Sequence, residues 1–246
     1  MSIKVVLDAG HGKTGNPYPP QKGFYEGTQM WKLANYLKTE LESYGIKVIT
    51  TRPNINDNPS LLTRGQTAGK NKCDLFLSLH SNAPASASDT KTTGSVVYYS
   101  VTDPKNKILA DKLGNKVSEL MGHYYRGSHT RTYESNNTID YYGVIRASAQ
   151  SGCKCAIILE HGFHTNPKDS GFLIVDENLK KLAIAEAEII ADYFGVKKVV
   201  VVDPVVEHKK IIQEHCKFSN PEAVWSLMDT HKYAKSLYQK WAESYK

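Results

Sequence analysis

Three short, largely apolar runs in this chain each close on residue types that bind metals or move protons. Ile3–Asp8 runs into Ala9-Gly10-His11-Gly12, Asp74–Leu79 into His80-Ser81-Asn82-Ala83, and Ala156–Leu159 into Glu160-His161-Gly162-Phe163. Runs dominated by aliphatic and β-branched residues read as strands covered on both faces, the kind found in parallel sheets. Parallel strands need crossover connections, and helical periodicity fills the intervals. From Glu26 to Tyr44, Met30, Leu33, Ala34, Leu37 and Leu41 share a face before Gly45 stops the helix. Ser60 caps a helix to about Lys72. Asn106 to Met121 aligns Ile108, Leu109, Leu113, Val117 and Leu120, and Asn178 to Phe194 ends at Gly195. With further strands at Ile46–Thr51 and Gly94–Ser100, the pattern predicts an α/β fold: a mainly parallel twisted sheet with helices on both faces, plus a small C-terminal helical module.

In an open parallel sheet the carboxyl ends of the strands form the ligand crevice. His11, His80 and Glu160 are therefore expected to converge there. The glycines flanking His11 allow the chain to turn sharply around it. Glu26 opens the helix that follows the His11 loop, so that helix start faces the same crevice. Two histidines and a carboxylate match the ligand set of a catalytic zinc site, with a coordination position left for water. Glu160 then remains for acid–base work. From spacing alone, each histidine reads equally as a hydrogen-bonded structural residue, and Glu26 as an acid favoured by the helix dipole. The residues by themselves carry the reading only as far as an α/β metallohydrolase.

The 246 residues divide into a domain over 1–195, a linker or edge strand over 196–204, and helical stretches near 205–216, 221–230 and 231–245. The stretch from His123 to Tyr142 fits no period and reads as a long polar, aromatic loop, a type more often functional than idle. Net charge is +6 and dispersed, with no Lys/Arg run of five, which suits an anionic partner but not a nucleic-acid arm. No apolar run approaches the ~18 residues of a membrane span. Cys73, Cys153, Cys155 and Cys216 form no disulfide framework and are expected to be free thiols. The strand-like start Met1-Ser2-Ile3-Lys4-Val5 lacks the features of a secretory signal.

Taken in order, several segments resemble one family. They are Val5–Gly12; Glu26 with its helix, Gly45-Ile46-Lys47-Val48 and Thr51-Arg52; Leu62-Thr63-Arg64; Asp74–Ala83; Gly94–Tyr99; Tyr142–Arg146, as a short strand bearing an arginine; and Glu160–Asn166 with Asp169. The family is that of the zinc-dependent N-acetylmuramoyl-L-alanine amidases, amidase type 3, of bacterial autolysins and phage endolysins. The resemblance covers roughly residues 3–195. It implies Zn2+ held by His11, Glu26 and His80, with Glu160 catalytic. It also implies cleavage of the bond between N-acetylmuramic acid and the L-alanine of the peptidoglycan stem peptide. Asn82 and Arg146 are expected to orient substrate, and Asp8 either to support His11 or to cap its loop.

The implied partner is peptidoglycan, with no nucleic acid and no membrane insertion. The expected setting is a phage-type endolysin that accumulates in the host cytoplasm and acts on the wall after release, with a bacterial autolysin lacking its signal here as the alternative. A wall-binding protein that keeps the fold without catalysis, and a zinc peptidase acting within the stem peptide, are the alternatives. His161 and His164 replace the small or aliphatic residues usual there, and are expected to tune the groove or Glu160, or to decorate the surface. Residues 205–246 are expected to bind wall polymer or to self-associate as a homo-oligomer, with Trp225, Tyr238 and Trp241 either exposed for carbohydrate or forming the module's own core.

Overall fold

The structure, a computed structural model, describes residues 2–17, 23–86, 88–198, 204–231 and 234–245. It divides into two compact units, residues 1–198 and 199–246. The first is built on a six-stranded sheet of β1 (Lys4–Ala9), β2 (Lys47–Thr50), β3 (Leu75–Asn82), β4 (Ser95–Tyr99), β5 (Tyr125–His129) and β8 (Ala156–Phe163). Its order is β2-β1-β3-β8-β4-β5. The first four strands in that order are parallel; β4 runs antiparallel to β8, and β5 parallel to β4. A separate two-stranded hairpin joins β6 (Thr132–Tyr133) to β7 (Asn136–Asp140).

Alternation along the strands sorts side chains onto two helical layers. Leu7, Leu77, Leu159 and Val97 face the larger core, with α1 (Glu26–Ser43), α3 (Asn106–Met121) and α6 (Asp176–Tyr193). Val6, Phe76 and Ile158 face a smaller core, which Ala68 of α2 (Leu61–Asn71) and Val144 and Ile145 of α4 (Gly143–Gln150) complete. A short α5 (Pro167–Leu173), capped by Asn166, follows β8. Among the described residues no helix is long and apolar enough to cross a membrane.

Three expectations need correction. The stretch 123–142 is not an irregular loop but contains β5, β6 and β7. β5 is an edge strand and the hairpin stands apart from the sheet, so neither has the buried face that would produce an alternating pattern. Tyr142–Arg146 is not a strand: Gly143 begins α4, whose Val144, Ile145, Ala147 and Ser148 are buried at helical spacing. β8 does not stop before Glu160 but continues to Phe163, with all eight residues buried.

The second unit contains α7 (Pro204–Cys216), α8 (Pro221–Asp229) and α9 (Ala234–Glu243). Asn220 caps α8 by accepting from the Ala223 amide at 3.2 Å, and Pro221 opens its first turn. Trp225 and Tyr238 are 8% and 0% exposed and form this unit's own core with Ile212. Their rings are therefore not displayed for carbohydrate. Residues 196–198 carry no regular structure, and the rest of the linker up to 203 lies outside the described residues.

Candidate active site

β1 and β3 are neighbours with Ala9 in register with Leu79, so Gly10 follows β1 against the His80 ring. A side chain at Gly10 would lie 2.3 Å from that ring, so only glycine fits. His11 comes next, with φ 58°, a left-handed conformation costly for a residue bearing Cβ. The turn returns the chain to the start of α1. There a Cβ on Gly27 would fall 1.7 Å from the Gly12 carbonyl oxygen. The Gly27→Ala variant is expected to lose about 2 kcal/mol of stability by overpacking, measured by denaturant unfolding.

Two buried guanidiniums hold this loop. Arg52 donates from Nη1 to the carbonyls of Gly10 (3.1 Å) and Gly27 (2.9 Å), and from Nε to that of Asp57 (2.8 Å). Arg64 donates to the carbonyls of Ala9 (2.6 Å) and His11 (2.7 Å) and pairs with Asp8 at 2.8 Å. Asp8 also accepts from Thr51 and from Ser78. Among the described residues no hydrogen bond joins Asp8 to the His11 ring; Asp8 reaches that residue through Arg64, which donates to the His11 carbonyl.

One ligand atom from each of His11, Glu26 and His80 lies within 4.8 Å of the others. Glu26 is fully buried. Its Oε1 is 3.1 Å from His80 Nδ1 and accepts from the Ser81 amide at 2.8 Å; its Oε2 is 3.5 Å from His11 Nε2. The Asn16 amide nitrogen bridges two of the three donors, 2.8 Å from Glu26 Oε2 and 3.1 Å from His11 Nε2. Burial pulls the Glu26 pKa upward, but the hydrogen bond and charge of His80 outweigh it and hold the carboxyl below its ordinary value. Burial lowers the pKa of His11, and His80 adds to that against the pull of Glu26. For His80, burial acts downward, yet the hydrogen bond it donates to Glu26 and the charge of Glu160 lift it to about 9. The cluster therefore draws positive charge between its carboxylates. Two imidazole nitrogens and one carboxylate oxygen at this spacing fit a zinc-type ion.

Glu160 pairs in register with His80 on the adjacent strand, so both side chains share a sheet face. Its Oε2 is buried without a hydrogen-bond partner. Burial first, and then the like charge of Glu26, raise its pKa to about 7. The carboxyl can thus hold or release a proton near neutrality. His11 and His80 border a cleft of about 300 Å³ lined also by Asn58, Leu61 and Val144.

Asn82 and Arg146 are not drawn into the cluster. The Asn82 side chain accepts from the Ala83 amide at 2.8 Å. Arg146 donates from Nη1 to the carbonyls of Asp140 (2.8 Å) and Tyr141 (2.9 Å), bracing the hairpin.

His161 and His164 do not decorate the surface, being 0% and 6% exposed. His161 points to the opposite face of β8. Its Nδ1 faces the His80 carbonyl at 3.0 Å and its Nε2 faces Glu186 Oε1 at 2.9 Å. With an acceptor at each nitrogen, the ring donates from both and carries a charge. Burial opposes this, but Glu186 wins and the pKa is raised. His164 contacts Ser81 Oγ at 3.1 Å, lies 3.7 Å from Glu26 and stacks on Phe24. Arg52, Arg64, Asn16 and Glu186 were not singled out as site residues from sequence. The signal for Arg52, Arg64 and Glu186 is burial of a charged side chain, and for the exposed Asn16 its contacts with Glu26 and His11, both of which only the fold reveals.

Fold and site together define an α/β protein with its polar centre at the ends of the parallel strands. Residues 5–192 match the N-acetylmuramoyl-L-alanine amidase family, and the chain belongs to that family. It is 28% identical to the N-acetylmuramoyl-L-alanine amidase LytC of Bacillus subtilis over 171 residues, 69% of this chain and 31% of that protein. It therefore spans under a third of LytC. It is also 28% identical to the endolysin of Bacillus phage SPP1 over 205 residues, 80% of this chain and 68% of that one. Among solved structures, Cwp6 from Clostridium difficile superposes with a TM-score of 0.65 at 28% identity, covering 78% of this chain and 29% of that one. The catalytic domain of CwlV, the amidase from Bacillus (Paenibacillus) polymyxa var. colistinus, shares the fold at a TM-score of 0.65 and 24% identity, covering 79% of this chain and 99% of that one.

Proposed function

We propose that this chain hydrolyses the amide bond between the lactyl group of N-acetylmuramic acid and the L-alanine of the peptidoglycan stem peptide, with Zn2+ bound by His11, Glu26 and His80. The observation that carries the reading is the convergence of those three donors beside a buried Glu160 whose pKa lies at about 7. Bound zinc supplies a Lewis acid that makes a water acidic near neutral pH and draws charge from the amide oxygen. Glu160 takes the proton from the attacking water. It then returns a proton to the departing alanine nitrogen, which would otherwise leave as an amide anion. Glu26, kept ionised by His80, offers a carboxylate to the ion, and Arg64 fixes the backbone of His11 from below. A phage-type endolysin role is supported by similarity to the SPP1 endolysin across 80% of this chain.

A chelator is expected to abolish the release of new N-terminal L-alanine from walls, and added Zn2+ to restore it, with no new reducing sugar ends. His11→Ala is expected to lose both bound metal and turnover. Fully active protein that contained no metal by elemental analysis would overturn this reading.

A further inference from the structure

We infer that the β6–β7 hairpin carries a platform for the glycan strand of peptidoglycan, with Tyr133 and Tyr141 as its contact surface. The inference rests on the amidase reading and adds to it the polymer feature that the chain grips away from the scissile bond.

Four tyrosine rings form a continuous array. Centroids lie 4.7 Å apart for Tyr98 and Tyr142, 5.6 Å for Tyr142 and Tyr141, and 5.6 Å for Tyr141 and Tyr133. The inner rings pack on the smaller core, while Tyr141 and Tyr133 are 43% and 39% exposed. A contiguous exposed aromatic surface marks a binding site more often than a solvated face.

This array is held rigidly. Asp140, at the end of β7, is buried and accepts from Ser100 Oγ (2.7 Å) and the Val101 amide (2.9 Å). Arg146 clamps the carbonyls of Asp140 and Tyr141, and its guanidinium lies 5.3 Å from the Tyr133 ring. Arg131 stacks 3.9 Å over Tyr141. Rings fixed before binding lose little entropy when a ligand arrives.

The array is also continuous with the catalytic centre. Val96 pairs with Glu160, and Tyr98, two residues on, lies on the same sheet face. Tyr142 begins the turn into α4, whose Val144 lines the cleft with His11 and His80.

The chemistry favours the sugar strand over the stem peptide. Pyranose rings offer C–H faces to aromatic surfaces, and hydroxyl and acetamido oxygens to N–H and O–H donors. The cations here are stacked on rings or committed to backbone carbonyls, an arrangement that builds a ring surface rather than a carboxylate clamp.

The test uses the full chain in three forms: wild type, Tyr133→Ala/Tyr141→Ala, and Tyr133→Phe/Tyr141→Phe. Retention is measured on peptide-free strands of alternating N-acetylglucosamine and N-acetylmuramic acid. The alanine pair is expected to bind about tenfold more weakly and the phenylalanine pair within twofold of wild type, as loss of aromatic anchors predicts. On intact walls, KM for the alanine pair is expected to rise about tenfold with kcat unchanged. On a muropeptide bearing one disaccharide, both constants stay at wild-type values. Wild-type retention by the alanine pair overturns the platform, as does an equal loss on the single muropeptide. Wild-type protein without amidase activity would instead overturn the catalytic reading, while glycan retention would still be scored on its own.

Discussion

Glu160→Gln is expected to abolish turnover while making the metal-free protein more stable at pH 8. On the proposed role of Glu160 in taking and returning a proton, its removal costs about 10³-fold in rate. The stability gain follows from the pKa of about 7, raised by burial and by Glu26. In the unfolded chain the same carboxyl titrates near 4.3. A group with its folded pKa raised stabilises the fold below its unfolded pKa, and that contribution disappears as pH rises through the folded pKa. At pH 8 the buried charge therefore costs about 3 kcal/mol, which glutamine removes. For a protein of this size the gain corresponds to roughly 8 °C in Tm. At pH 4, where the carboxyl is mostly protonated in both states, the two proteins should melt within about 1 °C of each other. Zinc content of the loaded variant should match wild type. Equal melting temperatures at pH 8 would show that Glu160 is not held in a charge-averse site.

Arg64→Met is expected to be the most damaging substitution outside the ligand cluster. Asp8 and Arg64 are 0% and 2% exposed, and their pair sits under the His11 loop. Taking away one partner of a buried ion pair costs about 3–5 kcal/mol, because the other charge is left stranded. Tm should fall by roughly 12 °C. The His11 carbonyl loses its donor at the same time, so zinc affinity should fall beyond what instability explains. Adding Asp8→Asn removes the stranded charge and should recover part of the loss in Tm, but not the zinc affinity. A drop below about 1 kcal/mol would assign the pair no structural weight.

The parallel layout was legible because strands buried on both faces leave an unbroken apolar signature, as in Asp74–Leu79 and Ala156–Leu159. The convergence of His11, Glu26 and His80 was legible for a related reason: parallel strands bring their carboxyl ends to one edge whatever the sequence separation. The hairpin was not, since a two-stranded ribbon outside the sheet has no buried apolar face to alternate. Tyr142–Arg146 was misread because five residues containing Gly143 carry too little period to separate strand from helix. The roles of Arg52 and Arg64 were hidden because a buried arginine and a solvated one look alike in a sequence. His161 was hidden behind its neighbour: alternation turns it away from Glu160 toward Glu186, and that partner lies 25 residues further along the chain, in α6.

Because β8 is enclosed on both sides, its two adjacent charged residues serve opposite halves of the molecule. Deleting one residue between Ala156 and Leu159 would exchange them, pressing Glu160 into the aliphatic layer and presenting an imidazole to the substrate. The strand thus behaves as a reading frame, in which a single-position slip is more harmful than most replacements of the residues themselves.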